Sequence, residues 1–210
     1  HIVSHDLKSP LRSINALISW FQEDYEEVLD EEANETFDKL NNKLEQMDAL
    51  IDGILRYSSV NDKNTLSQKE VSVSEVLQEI QNILYIPEHI KFSYPDKLPK
   101  INADKTRIKQ LFQNLISNAI NYIDKEEGKI EVTFKELKHY WKFSVSDNGV
   151  GIAASYHDKI FKIFETLDRK GKSTGIGLSI VKKIIELYKG EIYLESEEGK
   201  GTTFFFKLRK

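Results

Sequence analysis

In the first 60 residues the apolar side chains recur by alternating steps of four and three. They run Leu7, Leu11, Ile14, Ile18, Phe21, Tyr25 and Val28, then, past the acidic break at Asp30, Glu31 and Glu32, Phe37, Leu40, Leu44, Met47, Ile51 and Ile54. An α-helix puts such a set on one side, and this spacing is an a/d heptad seam. The pattern predicts two antiparallel helices, each about 40 Å long at ~1.5 Å per residue. A lone hairpin of that length leaves its seam half exposed, so residues 1–60 are expected to dimerise into a four-helix bundle.

Residues 61–70 lose all periodicity and gain turn-forming polar side chains, which marks a linker and a domain boundary. From 71 to 210 the pattern mixes types. Helices are predicted at 74–85, 104–122 and 177–189. Strands are predicted at 90–94, around Ile130/Val132/Phe134 and Trp141/Phe143/Val145, and at 191–195 and 202–208. This is an α+β sandwich with helices on one face of a mixed sheet. Two domains fit a chain of 210 residues that is 40% hydrophobic. The absence of cysteine excludes disulfides, thiol catalysis and zinc–thiolate sites. A net charge of −4 without a Lys/Arg stripe argues against nucleic acid as a partner. No run of 18 apolar residues and no signal-peptide pattern occurs, so a soluble, cytoplasmic fragment without membrane contact is expected.

Four segments carry chemistry. With Leu7 at a d position, His5 falls at b and faces solvent. A lone histidine there is ordinarily a surface residue, but its neighbours change the reading. Asp6 can hold the imidazole Nδ1–H and make Nε2 the better nucleophile, while Pro10 removes the hydrogen bond to the Asp6 carbonyl and is expected to bend the helix beside it. Asn114, Asn118 and Asn121 line one stripe of the helix at 104–122. Asparagine is a mediocre helix former, and its amide oxygen suits Mg²⁺, so this stripe is read as a metal-holding face rather than a solvated one.

Asp147-Asn148-Gly149-Val150-Gly151-Ile152 follows a strand. Its Gly149-x-Gly151-x-x-Ala154 spacing also fits a dinucleotide-binding turn, but it lies late in a mixed sheet and an acid precedes it. A carboxylate there can accept a proton from the exocyclic amine of adenine, with glycine letting the backbone approach the ring. Ser173-Thr174-Gly175-Ile176-Gly177-Leu178 opens a helix, where free amides bind phosphate. Gly171-Lys172-Ser173 imitates a P-loop but lacks the required upstream glycine, since position 166 is threonine. Residues 153–174, with Phe161, Phe164, Arg169, Lys170 and Lys172, read as a lid over a triphosphate; packing of both phenylalanines in the core is an equal alternative.

Together these segments resemble the ordered boxes of sensor histidine kinases. Ser4-His5-Asp6-Leu7-Lys8-Ser9-Pro10-Leu11 resembles the H-box, Arg107 to Tyr122 the N-box, Asp147 to Ile152 the G1 box, Phe161 and Phe164 the F-box, and Ser173 to Ile180 the G2 box. Gly199 to Phe204 resembles the family's closing strand. The G1 box is shared with Hsp90-type chaperones, gyrase and MutL, and the fold implied for 71–210 is the histidine kinase/Hsp90-like (Bergerat) ATPase sandwich.

The resemblance implies that His5 is phosphorylated by ATP, that Asp6 is its acid/base partner, and that the phosphoryl group passes to an aspartate in the receiver domain of a response regulator. It implies Mg²⁺ on Asn118 with Asn114 nearby, and an ATP site that includes Tyr122, Asp147, Gly149, Gly151, Ile152, Lys172, Gly175, Gly177, Leu178 and Thr203, the last supporting Asp147. The family commonly has Lys or Arg where this chain has Asn121, so no phosphate contact is carried over there. Ser9 stands where relatives that also dephosphorylate their partner commonly carry Thr or Asn, which implies a weak phosphatase. Family members usually continue the first helix upstream into a sensor, so the sequence is expected to be the core of a longer protein. Two rivals remain: an ATP-driven conformational clamp, disfavoured by the H-box, and a dimerising scaffold with a degenerate pocket, disfavoured by the intact glycines.

Overall fold

The computed structural model describes residues 2–60, 67–167 and 173–210, with side chains from residue 6 onward. The first two helices are α1 (Ile2–Asp24) and α2 (Glu31–Ser59). Asp30 caps α2 by accepting the Ala33 N–H at 2.8 Å, a contact worth about 1 kcal/mol. The helices are antiparallel: Lys8 pairs with Asp48 and Asp52, Gln22 meets Asn41, and Phe21 meets Phe37. Pro10 lies inside α1, which continues through it.

The seam read on each helix divides in two. Leu11 is buried and Ile18 half-buried on α1, opposite half-buried Phe37, Leu44 and Ile51 on α2, so this set closes the hairpin. The other set recurs every seven residues and stays open: Leu7, Ile14 and Phe21 on α1, Val28 in the turn that follows it, and Leu40, Met47 and Ile54 on α2, each at least 40% exposed. An apolar row of that regularity suits a second helical pair packed alongside.

The remainder is a sandwich. A two-stranded antiparallel ribbon joins β1 (Lys69–Ser72) to β3 (Lys100–Ala103), and the main sheet has the order β2-β4-β5-β7-β6. Here β2 is Ile90–Ser93, β4 Gly128–Glu136, β5 Tyr140–Asp147, β6 Glu191–Glu197 and β7 Gly201–Arg209. β2 runs parallel to β4 and the other pairs are antiparallel, so the sheet is mixed as expected. The ribbon was not legible in the sequence, because four-residue strands give periodicity little to act on. It also takes Lys69 and Glu70 out of the expected linker, of which 61–66 lie outside the described residues.

Helices α3 (Val73–Ile83), α4 (Lys105–Tyr122) and α5 (Gly177–Leu187) begin and end within two residues of the predicted spans. Alternation along β7 sends Thr202, Phe204, Phe206 and Leu208 inward. Phe206 and Phe143 stack at 5.3 Å, and Phe112 of α4 meets both edge-on at 5.5 and 5.6 Å. This knot of rings fixes α4 on the sheet. It thereby sets Asn118 of the asparagine stripe beside the end of β5 that carries Asp147.

Candidate active site

A cleft of about 870 Å³, counting its open mouth, lies between α4, the end of β5, β7 and the start of α5. Asp147, the last residue of β5, is half-buried there. Its Oδ1 accepts the Gly149 N–H at 2.9 Å and the Thr202 N–H at 3.3 Å. Both donors take the same oxygen, so Oδ2 remains for a ligand. Burial pushes the Asp147 carboxyl above its ordinary range, and the two N–H bonds only partly offset this.

The loop after Asp147 is fastened from three sides. Asn148 Oδ1 accepts the Lys129 N–H at 2.7 Å, the Val150 N–H reaches the Tyr122 carbonyl at 3.0 Å, and the Ile152 N–H reaches Ser196 Oγ at 2.8 Å. Gly151 has φ +72°, and a Cβ there would collide with the Glu197 carbonyl. Only glycine lets the loop pass. At the opposite wall Gly175 has φ +68° and its carbonyl accepts the Phe164 N–H at 3.1 Å. Ile176 caps α5 without a side-chain hydrogen bond, and the first helical bond is Ile180 N–H to Ile176 O. The Gly177, Leu178 and Ser179 amides are thus left without helical partners beside the cleft, where an anion would be favoured.

Of the residues singled out in the sequence, Asn118, Tyr122, Asp147, Gly151, Ile152, Gly175, Gly177 and Leu178 line the cleft, and Gly149 stands behind Asp147 as its donor. The Asn118 side chain makes no hydrogen bond among the described residues, so its carboxamide is available to a ligand in the cleft. Three expectations turn out differently. Asn114 faces a separate groove between α5 and the first two helices; its Nδ2 donates to the Gln110 carbonyl, and its Oδ1 sits over Gly177. Asn121 is exposed, outside both. Thr203 points to the outer face of the sheet, where its Oγ1 bonds Ser146 Oγ, and the residue beside Asp147 is Thr202. Strand parity was the missed signal, since position 202 shares the inward face of Phe204.

Lys172, Arg169 and Lys170 lie outside the described residues, as does the His5 side chain. Phe161 packs edge-on against Phe204 at 6.2 Å and so belongs to the core, whereas Phe164 is 52% exposed with φ 68°. Of the alternative that both pack in the core, Phe161 meets the expectation and Phe164 does not. Ile160, Thr202 and Phe204 complete the apolar wall. Among the described residues no helix is long and apolar enough to cross a membrane, and no group of three His, Asp or Glu could hold a metal.

Comparison with known proteins agrees with this geometry. The family described as histidine kinase-, DNA gyrase B- and HSP90-like ATPase matches residues 103–210, and the His Kinase A (phospho-acceptor) domain matches residues 1–63. Cyanobacterial phytochrome A of a Nostoc species is 36% identical over 214 residues, covering 99% of this chain and 28% of that protein. Sensor histidine kinase ZraS of Escherichia coli is 36% identical over 214 residues, covering 96% of this chain and 43% of that one. The chain therefore spans less than half of either relative. Among solved structures, histidine kinase ThkA in complex with response regulator protein TrrA superposes with a TM-score of 0.66 at 27% identity, over 100% of this chain and 61% of that one. Full-length ShkA in complex with AMPPNP gives 0.73 at 23% identity, over 99% of this chain and 44% of that one, a likeness of fold. The chain belongs to the histidine kinase-, DNA gyrase B- and HSP90-like ATPase family and, with its phospho-acceptor helices, is the catalytic core of a sensor histidine kinase.

Proposed function

We propose that the chain binds ATP in the cleft, phosphorylates His5, and passes the phosphoryl group to an aspartate of a response regulator receiver domain. The observation that carries the ATP reading is Asp147. It is a half-buried carboxylate with one oxygen occupied by two backbone amides and the other left to accept from the adenine amine. The triphosphate then runs toward the free amides of α5.

Mg²⁺ fits the residues present. The Asn118 carboxamide is half-buried in the cleft without a protein partner, and a hard cation that keeps several waters needs one or two such oxygens plus substrate phosphates. Bound there, the ion would neutralise phosphate charge. Asn114 is better placed to support the start of α5 than to reach the metal.

In the transfer, His5 Nε2 forms a bond to the γ-phosphorus while the bond from that phosphorus to the β–γ bridging oxygen breaks, and ADP leaves with the electron pair. Asp6 holds the Nδ1 proton and stabilises the charge that develops on the ring. The receiver aspartate later takes the phosphoryl group and His5 becomes neutral again. The open row of Leu7, Ile14, Phe21, Leu40, Met47 and Ile54 supports a homodimer through residues 1–60. Support for a receiver partner comes from the resemblance of the whole chain to a kinase solved with its regulator. Incubation with γ-labelled ATP tests the reading: the label should be stable to alkali and labile to acid, as phosphohistidine is. Label that resists acid, or ATP hydrolysis without label, would sink it.

A further inference from the structure

Along β6 the half-buried Ile192, Leu194 and Ser196 alternate with exposed residues, and Ser196 pairs with Thr202 of β7 behind the nucleotide cleft. Three hydrogen bonds use up the Ser196 hydroxyl. It donates to the Gly201 carbonyl at 2.9 Å and accepts the Ile152 N–H at 2.8 Å. The third contact is with Thr202 Oγ1, also at 2.8 Å. A hydroxyl has one proton and two lone pairs. The Ser196 proton is already on the Gly201 carbonyl, so between the two hydroxyls Thr202 donates and Ser196 accepts.

That order of protons decides what Thr202 can offer a ligand. Thr202 lines the cleft, and its N–H is committed to Asp147 Oδ1. Its Oγ1 has no other partner among the described residues. With the hydroxyl proton turned to Ser196, only lone pairs remain for the cleft. Gly201 keeps the neighbours close: it has φ +118°, and a Cβ there would strike the Asp147 carbonyl. Two acceptors, Asp147 Oδ2 and Thr202 Oγ1, therefore stand next to one another. A purine with a 6-amino group donates to such a pair, whereas a 6-oxo purine presents a lone pair to it and is repelled.

We propose that Ser196 is a positioning residue for base selection: by taking the Thr202 proton it fixes Thr202 as an acceptor, so that the cleft favours 6-amino over 6-oxo purine nucleotides. The proposal rests on the ATP reading given above and extends it to a residue outside the cleft lining. Without the Ser196 oxygen the Thr202 hydroxyl is free to rotate and to donate to a 6-oxo group.

Titration of the whole chain with ATP and with ITP, its 6-oxo counterpart, in the presence of Mg²⁺ tests it. The parent should bind ATP more tightly. In Ser196→Ala the preference for ATP over ITP should fall by about three- to tenfold, the scale of one neutral hydrogen bond. Loss of the Ile152 contact weakens both nucleotides alike and cancels in this ratio. Ser196→Thr keeps the hydroxyl on a side chain suited to a strand and should restore the ratio to within about twofold of the parent. Thr202→Val removes the acceptor, and on that background Ser196→Ala should shift the ratio by no more than about twofold, because the serine acts through the threonine. An unchanged ratio in Ser196→Ala, or a further fall on the Thr202→Val background, overturns the role of Ser196. If the parent binds neither nucleotide or does not prefer ATP, the ATP reading fails first and the role of Ser196 falls with it.

Discussion

The backbone N–H of Thr202, at the start of β7, donates to Asp147 Oδ1 at 3.3 Å across the end of the sheet. Together with the Gly149 N–H it orients the carboxylate while burial raises its pKa. Asp147→Asn should weaken ATP binding about 10- to 100-fold, the range for a hydrogen bond to a charged group, and should blur discrimination against GTP. Titration calorimetry with both nucleotides checks this; unchanged affinities would remove the adenine-reading role.

The same carboxyl makes a stability prediction of definite sign. A pKa raised in the folded state means that the folded chain holds a proton the unfolded chain has released. Stability from this group is therefore fully present below the ordinary carboxylate value and is lost as pH rises through the raised value. Without nucleotide, Asp147→Asn should melt above the parent at pH 7, and the difference should shrink toward pH 4. A difference that grows on acidification contradicts the burial argument.

His5→Gln should abolish the acid-labile label while leaving ATP affinity within about twofold, because acceptor and cleft stand on different halves of the chain. Full labelling of that variant would move the acceptor elsewhere.

Asn118→Asp places a charge where a neutral carboxamide has no protein partner in the cleft. Turnover across a magnesium titration should fall about tenfold or more, the scale of a disturbed metal site, with the melting temperature little changed. Equal activity at every magnesium concentration would end the metal role.

The open heptad row makes a further case. Ile14 is 46% exposed in one chain, and Ile14→Lys would set an ammonium against the partner's apolar row. Dimer dissociation should strengthen by about 100-fold or more in sedimentation equilibrium. A variant that stays dimeric at nanomolar concentration would show that the partner packs elsewhere.

These residues also mark how far the sequence reaches. Heptad spacing was enough to place both long helices, but not to decide which half of the seam turns inward, because Leu7 and Leu11 differ by only ~40° around the axis. The glycine loops were legible because their backbone demands are local: φ is positive at Gly151 and Gly175 and the chain passes too close for a side chain. Where placement depends on distant partners, the reading slipped. Thr203 and Thr202 differ by one step of strand parity, and Asn114 shares a helical stripe with Asn118 although α5 draws it into the other groove. Gly53 carried a signal that went unused. A glycine inside a heptad helix costs about 1 kcal/mol against alanine, which implies a close neighbour, here Ile176.

Ser9 supports the last prediction. It is exposed on α1, four residues after His5 and so one turn along, and its carbonyl accepts Ser13 Oγ at 3.2 Å. Its own hydroxyl is short. It can orient a water toward a phosphoryl group docked near His5, but it lacks the amide reach of asparagine and the restricted χ1 of threonine. A loosely held hydroxyl spends less time in the productive rotamer, so dephosphorylation of the regulator should be slow. Ser9→Thr narrows the rotamer choice and should speed it; Ser9→Ala removes the hydrogen bond and should slow it, each by about three- to tenfold for an interaction near 1 kcal/mol. Labelling of His5 should change little in either, since the attacking nitrogen does not depend on that hydroxyl. The measurement is loss of phosphate from the phosphorylated cognate regulator with parent and variants in the presence of ADP. A Ser9→Ala chain that dephosphorylates the regulator as fast as the parent would show that Ser9 positions no water.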